Sequence, residues 1–305
     1  MIVRRLVRIG LTAVAVAVWV VLAARPAGAE PRPPLAVVAS FSILADMTAQ
    51  IGGSHVVVSA LVGPGGDAHD YMPSPSDARA LAKADVVVIN GLGFEGWFSR
   101  LLASSGTKAR VVVASSGVTP RMLGRDGGAA VDPHAWLDLA NAQSYVRTIA
   151  AALSDADPAH AQDFAAGAQA YAKRLADLDG WARARLGTIP PERRRAITSH
   201  DAFGYFAQAY GIDFLAPQGG MTEAQPSPRD MARLIDQMKA QHVRAVFMEN
   251  MTDPRLARQI ARDTGGVFGG ALYPDALSPP DGDAPTFEAL FRHNVETIAV
   301  ALSAP

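Results

Sequence analysis

The chain has 305 residues, 49% of them apolar, and this excludes an intrinsically disordered protein because it is enough to build the cores of two compact domains. Its 28 basic and 29 acidic residues give a formal net charge of -1, which argues against nucleic acid or an anionic membrane surface as the main partner. The absence of cysteine excludes disulfides, thiolate metal sites and cysteine nucleophiles.

Residues 1–29 have the pattern of a secretory signal peptide. Three arginines form its basic part, an apolar run from Ile9 to Ala24 follows, and small residues at 27–29 precede Glu30. A single-pass membrane anchor is the alternative, but the apolar run is short for a bilayer and ends in Arg25 and Pro26. We therefore expect export followed by cleavage.

Residues 30–156 alternate short apolar runs with helical patterns. Strands alternating with helices indicate a parallel sheet covered by helices, so we expect an N-terminal α/β lobe here. The predicted strands are Leu35–Ser40, Val56–Val62, Asp85–Asn90 and Ala109–Ala114, and the predicted helices are Ser42–Ile51, Pro75–Lys83, Glu95–Ala103 and Leu139–Leu153.

One long helix is predicted from Asp157 to Leu186, with Asp157 as its N-cap and Pro158 as its first residue. Some thirty residues of helix reach about 45 Å, which is longer than an ordinary domain needs. We interpret residues 157–187 as a rigid helix that joins two lobes, with a long surface helix of a single domain as the alternative. Its predicted apolar face consists of Phe164, Ala168, Tyr171, Leu175, Leu178 and Ala182.

Residues 188–305 repeat the alternation and predict a C-terminal α/β lobe. The predicted fold is therefore α/β, with two lobes that each contain a parallel-type sheet covered by helices, joined by one long rigid helix. The predicted strands are Arg195–Thr198, Asp213–Leu215, Ala245–Met248 and Val267–Gly269, and the predicted helices are Ala202–Tyr210, Pro228–Gln241, Pro254–Asp263 and Thr286–Leu302.

Three of the seven histidines lie at strand-to-helix junctions, where the edge of a parallel sheet presents its ligands. They are His69, His134 and His200, and a carboxylate, Asp275 or Glu249, stands at a similar edge. Neutral imidazoles with one carboxylate suit Zn²⁺ better than Ca²⁺ or Mg²⁺. The chain has none of the short paired-histidine motifs, so ordinary loop histidines remain an alternative on spacing alone.

Several stretches, which together cover nearly the whole mature chain, resemble one protein family. They read VVASFSILADMTAQIGG, GDAHDYMPSPSD, ADVVVINGLGFEGW, DPHAWLD, SHDAFGYFAQAYGI, VFMEN and LYPDALS. The chain resembles the zinc and manganese substrate-binding proteins of bacterial ABC transporters, the ZnuA-like and AztC-like periplasmic proteins. The resemblance implies that His69, His134, His200 and Asp275 are the metal ligands. A histidine at position 200, where manganese members tend to have glutamate, favours zinc.

The resemblance also implies a periplasmic, non-enzymatic protein that delivers Zn²⁺ to an ABC transporter permease. We further expect a monomer that does not bind nucleic acid. Many zinc members carry a histidine-rich loop between the first two ligands, whereas residues 117–131 contain no histidine. This departure motivates the hypothesis that a separate periplasmic zinc chaperone supplies the metal.

Three further carboxylates are candidates for orienting the imidazoles by hydrogen bonds: Glu249, Asp138 and Asp201. Two other functions stay open. A secreted zinc-dependent hydrolase would keep an open coordination position beside a general base, and a metal-binding adhesin could share the same fold.

Overall fold

The computed structural model describes residues 33–123, 130–216, 236, 240, 243, 245–250 and 254–303. The predicted signal peptide lies outside the described residues, and so does the predicted helix Pro228–Gln241 apart from positions 236 and 240. Among the described residues, no helix combines the length and apolar composition needed to cross a membrane.

Within the described residues, two parallel sheets, one in each half of the chain, form the framework. Their strands are β1 (Leu35–Phe41), β2 (Val56–Val62), β3 (Val86–Ile89), β4 (Arg110–Val113), β5 (Arg195–Ile197), β6 (Asp213–Leu215), β7 (Ala245–Glu249) and β8 (Val267–Leu272). The order is β2-β1-β3-β4 in one sheet and β6-β5-β7-β8 in the other. In each sheet the chain moves from the first strand to one side and then crosses to the other side, so the strand order reverses between β1 and β3 and between β5 and β7. The carboxyl ends of these strands form the usual ligand crevice of an open α/β sheet.

Helices cover both sheets, as the alternating pattern predicted. In the described part of the chain they are α1 (Ser42–Gly52), α2 (Pro75–Lys83), α3 (Phe98–Ser105), α4 (Leu139–Ala156), α5 (Ala161–Gly187), α6 (Gly204–Tyr210), α7 (Pro254–Thr264) and α8 (Phe287–Ser303). Helix α2 has the predicted bounds because Pro75 occupies its first turn and Ser74 forms a capping box with Asp77.

Helix α3 begins three residues later than predicted, at Phe98 instead of Glu95. The physical reason is that the buried Glu95 carboxylate binds the loop that follows β3. It accepts hydrogen bonds from the backbone N–H groups of Asn90 and Gly91 and from the Ser40 hydroxyl, at 2.6–3.1 Å. The side chain thus fixes the carboxyl ends of β1 and β3 instead of lying on a helix.

The long helix links the two lobes as predicted, but it is not continuous from Asp157. A 3₁₀ turn, Pro158–His160, precedes the 27 residues of α5. Asp157 occupies the N-cap position of this turn with Pro158 as the first residue, as predicted, and its carboxylate lies 2.6 Å from the Nδ1 atom of His160. The predicted apolar face is buried except at Ala168, which is half-buried.

Helix α5 lies against α1, α4 and α8, so that its apolar face contributes to a core that continues from one lobe into the other. At the C-terminal end of this core, Phe206 and Tyr210 of α6 contact Phe291 of α8, with ring centroids 5.7 Å apart in both pairs. On the N-terminal side, Gly167 of α5 packs directly on the backbone at the end of α1, and a Cβ atom there would lie 2.3 Å from the Ile51 carbonyl oxygen.

Two glycines of α5 are expected to respond in opposite directions to substitution by alanine. Gly167→Ala should lower the free energy of unfolding, because the Ile51 backbone cannot move away as a flexible side chain could. Gly180→Ala should raise it by about 0.5–1 kcal/mol, since nothing lies within 4 Å and alanine favours the helix. Urea denaturation of both variants tests this, and stabilisation by Gly167→Ala would contradict the close packing of α5 on α1.

Candidate metal centre

Four side chains from separate parts of the sequence converge at the carboxyl ends of the two sheets. His69 lies in the loop after β2, and His134 lies immediately before the 3₁₀ turn Ala135–Leu137 that leads into α4. His200 follows β5, and Asp275 lies in the loop after β8. One potential ligand atom from each of the four lies within 4.8 Å of the others. The structure therefore brings together the four residues that were predicted from the sequence.

The four side chains form a cage, and five separations between their potential ligand atoms are close to those of a tetrahedral site. The Nε2 atom of His134 lies 3.2 Å from that of His69 and 3.4 Å from that of His200. The Asp275 carboxylate lies 3.2 Å from His200 Nε2 and 3.5 Å from the other two Nε2 atoms. A tetrahedral zinc site with metal–ligand bonds of about 2.0–2.1 Å has ligand–ligand separations of roughly 3.3–3.4 Å. The five separations therefore fit zinc, with Oδ1 of Asp275 facing His134 and Oδ2 facing His69 and His200.

Both oxygens of Asp275 are buried, and neither accepts a hydrogen bond from the residues that the structure describes. The side chain has 0% exposure. Burying an ionised carboxylate without partners is costly, so such a group requires a compensating positive charge. A bound cation would supply that charge, and the orphaned carboxylate therefore fits a metal site better than a cluster of ordinary loop histidines.

Two carboxylates determine which ring nitrogen of each buried histidine faces the centre. Asp132 Oδ1 accepts from the backbone N–H of His134 at 3.0 Å and lies 2.8 Å from its Nδ1 atom. Glu249 makes the same two contacts with His200, at 3.0 and 2.6 Å. In the neutral ring, a carboxylate at Nδ1 keeps the proton there, so Nε2 is the nitrogen that can offer a lone pair to the centre.

Asp132 was missed in the sequence analysis, although the sequence contains a signal for it. In both Asp67-Ala68-His69 and Asp132-Pro133-His134, an aspartate stands two residues before a histidine and accepts its backbone N–H. This is the short-range Asx turn that aspartate favours in loops. The turn orients the following histidine through a contact within three residues of sequence and does not depend on contacts between the lobes.

Asp132 also connects the centre to the other lobe through Arg121. The Arg121 guanidinium forms an ion pair with Asp132 and lies over the Tyr205 ring. The backbone N–H of Arg121 donates to the Tyr205 hydroxyl at 3.0 Å. The close approach requires glycine at position 204, where a Cβ atom would overlap both Arg121 and Asp132. The contact therefore joins the loop before His134 to the helix that follows His200.

The buried charges around the centre favour a cation there. Burial alone would raise the pKa of Asp275, but the adjoining imidazoles, chiefly His134 and His200, hold it well below its ordinary value. Burial alone would lower the pKa of His200, but the charge of Glu249 and the contact with Asp275 raise it well above its ordinary value. Asp275 is therefore ionised, and in the metal-free site a proton on His200 supplies positive charge beside its oxygens, which a bound metal ion would replace.

The three predicted supporting carboxylates differ in what they contact. Glu249 bonds His200 as described. The Asp138 carboxylate instead accepts from the Ala140 backbone N–H at 2.9 Å and so caps α4, which corrects the interpretation that it orients an imidazole. The carboxylate that contacts the His134 imidazole is that of Asp132. Asp201 is half-buried beside His200, and its supporting role stays a prediction.

Aromatic side chains enclose the N-terminal half of the centre. Phe94 meets His69 edge-on at 4.5 Å between ring centroids, and Trp136 lies 5.5 Å from His134. The indole N–H of Trp97 donates to the Ala68 carbonyl at 2.7 Å, next to His69. These rings keep bulk water from the ligands, which strengthens electrostatic attraction at the centre.

A fold of two parallel-sheet lobes linked by a long helix, with a buried histidine–aspartate cluster between them, is typical of a metal-binding transport protein. The family model described as "Zinc-uptake complex component A periplasmic" matches residues 37–301. The chain belongs to this ZnuA family of metal ABC transporter substrate-binding proteins.

Relatives and solved structures match over most of the chain. The iron-binding protein YfeA of Yersinia pestis is 36% identical over 86% of this chain and 85% of its own length. The manganese-binding lipoprotein MntA of Bacillus subtilis is 35% identical, covering 90% of this chain and 92% of its own. The structure of the periplasmic zinc-binding protein TroA of Treponema pallidum has a TM-score of 0.82 at 30% identity, covering 89% of this chain and all of that one.

Asp132→Asn should weaken metal binding by about 10- to 100-fold, because an amide holds the His134 imidazole less firmly in the required orientation. It should also lower the free energy of unfolding, since Arg121 loses a buried charged partner. Asp138→Asn is the matched control, since Asp138 caps α4 and asparagine also caps helices. Competition titration with a chromophoric chelator measures both variants, and equal affinities would contradict the role of Asp132.

Proposed function

We propose that this protein captures Zn²⁺ between its two lobes and delivers it to an ABC transporter permease. The observation that carries the proposal is the buried Asp275 carboxylate, which has no hydrogen-bond donor among the described residues and lies 3.2–3.5 Å from three imidazole Nε2 atoms. His69, His134, His200 and Asp275 would be the ligands. Coordination needs neutral imidazoles and an ionised carboxylate, so binding would release any protons that the metal-free site holds.

That the metal is zinc is a separate part of the proposal, because the relatives are named for iron, manganese and zinc. Three nitrogen donors and cage edges of 3.2–3.5 Å support zinc. Manganese is the second candidate. Asp275 supports it by directing both of its oxygens toward the imidazoles, which offers a fifth donor to an ion that prefers more ligands.

The environment of the cage favours transport over hydrolysis. Four protein ligands would complete a tetrahedral sphere, whereas a hydrolytic zinc site keeps one position for water beside a general base. The oxygens of Glu249, which lies beside His200, are at the backbone N–H and Nδ1 of that histidine. This engagement argues against its acting as the base of a secreted hydrolase.

The cellular context follows from the same reading. The apolar segment of residues 1–29 supports export, and we propose that the mature chain works as a periplasmic monomer. Loading by a separate periplasmic zinc chaperone remains our hypothesis, motivated by the loop 117–131 that contains no histidine. Equally fast and complete zinc uptake with and without periplasmic extract, under competition for the metal, would remove the need for a chaperone.

His200→Ala should reduce zinc affinity by several orders of magnitude, because it removes one of four ligands. The metal-free variant should also lose about 1–3 kcal/mol of unfolding free energy, since the buried Glu249 carboxylate loses its Nδ1 donor. Adding Glu249→Gln should restore part of that stability without restoring zinc affinity. Isothermal titration and urea denaturation measure the two effects, and His55→Ala, which alters a histidine near Asp163, is the control. Wild-type affinity in His200→Ala would remove this residue from the ligand set.

Direct competition should show that zinc displaces manganese from the purified protein and that manganese does not displace zinc at equal concentration. The physical reason is the small cage of nitrogen-rich donors. Mass spectrometry of the bound metal after dialysis gives the measurement, and Co²⁺ absorption reports the coordination number. Retention of manganese with a weak five- or six-coordinate Co²⁺ spectrum would instead favour the manganese function.

A further inference from the structure

Asp275 follows a strand of the C-terminal sheet, but the backbone around it is hydrogen-bonded to the N-terminal half. The indole N–H of Trp136 donates to the Pro274 carbonyl at 2.8 Å. Two residues after Asp275, the Leu277 N–H donates to the Ser42 hydroxyl at 3.0 Å. The Leu277 carbonyl in turn accepts from Gly65 at 2.9 Å. The loop that carries Asp275 is therefore held on both sides by groups from the first half of the chain.

Trp136 connects this loop to another proposed ligand. It is fully buried, and its ring lies 5.1 Å from Phe41 and 4.9 Å from Phe94, between centroids. It stands two residues after His134 and lies 5.5 Å from that imidazole. A buried indole needs a partner for its N–H, and here the partner is the carbonyl immediately before Asp275. One rigid side chain thus contacts the ring of one ligand and the backbone that carries another.

We infer that Trp136 is a positioning residue that fixes Asp275 to the N-terminal lobe. This inference rests on the proposed metal-binding function. Although Asp275 belongs to the C-terminal half of the sequence, the inference groups it with His69 and His134 as three ligands held by the N-terminal lobe. His200, held by Glu249 at the end of β7, is the ligand that the C-terminal sheet contributes.

Trp136→Phe separates the N–H from the apolar ring, because phenylalanine preserves most of the packing but cannot donate to Pro274. The affinity for Zn²⁺ is measured by chelator competition in wild-type protein, Trp136→Phe, Asp275→Ala and the double variant. We expect Trp136→Phe to weaken binding about 10- to 100-fold in the wild-type background. In the Asp275→Ala background it should have no further effect, because the ligand that it positions is gone.

Two controls distinguish positioning from general destabilisation. Trp181→Phe removes an indole from α5, where the ring contacts Arg292 and not the loop that carries Asp275. This variant should leave the affinity unchanged. Ser42→Ala removes the second support of the same loop and should also weaken binding only when Asp275 is present. Urea midpoints of all variants confirm that each is folded at the temperature of the titrations.

The outcomes separate this inference from the function on which it rests. Equal loss from Trp136→Phe in both backgrounds, or no loss in either, overturns the positioning role and leaves the proposed function intact. Wild-type affinity in Asp275→Ala, or no zinc binding by the wild-type chain, overturns the proposed function and this inference with it. Co²⁺ absorption adds a second readout, since a misplaced Asp275 should alter the spectrum of Trp136→Phe in the direction of that of Asp275→Ala.

Discussion

The requirement of a buried carboxylate for a compensating positive charge is the constraint on which the rest of the centre depends. Asp275 is enclosed by three imidazoles whose Nε2 lone pairs converge, and at close range such lone pairs repel one another and the carboxylate unless a positive charge lies between them. The other features of the centre follow from this requirement. Asp132 and Glu249 hold the rings by Nδ1, and aromatic residues keep the interior dry.

The two sheets make this convergence possible because they have the same strand order. In each sheet the loops after the strands emerge at one edge, and the histidines and Asp275 lie in such loops or just before the following helix. The lobes share this order without any evident repeat in the sequence, so the symmetry is one of architecture. It places polar side chains on loops of a firm scaffold, which is where α/β proteins commonly bind their ligands.

Most of the fold could be predicted from the sequence because alternating strand and helix patterns depend on local periodicity. The strands of both described sheets lie within a few residues of their predicted bounds, and the face of α5 has the predicted spacing. The errors lie at the starts of helices. Glu95 binds the loop after β3 instead of starting a helix, and the 3₁₀ turn Pro158–His160 replaces the first turn of the predicted continuous helix. The spacing of apolar residues indicates neither feature.

The candidate site shows the same limit. The histidines could be found because a junction between strand and helix is visible in the sequence, and resemblance selected Asp275 over Glu249 as the fourth member. Identifying Asp132 would have required knowing that its carboxylate turns back onto His134. Identifying Asp138 as a helix cap would have required knowing the residue at which α4 begins. The contact of Trp136 with Pro274 spans 138 positions and could be known only from the folded chain.

Helix α8 gives the lobes a second connection besides α5. Its first N–H is accepted by Asp46 of α1, and Glu288 and Glu296 form ion pairs with Arg174 and Arg185 of α5. Because α5 and α8 both connect the lobes, we expect relative motion to be small sliding of packed helices, on the order of 1–2 Å. That distance is comparable to a metal–nitrogen bond of about 2 Å, so cargo exchange in such a molecule would need only a slight displacement of one ligand and no wide opening.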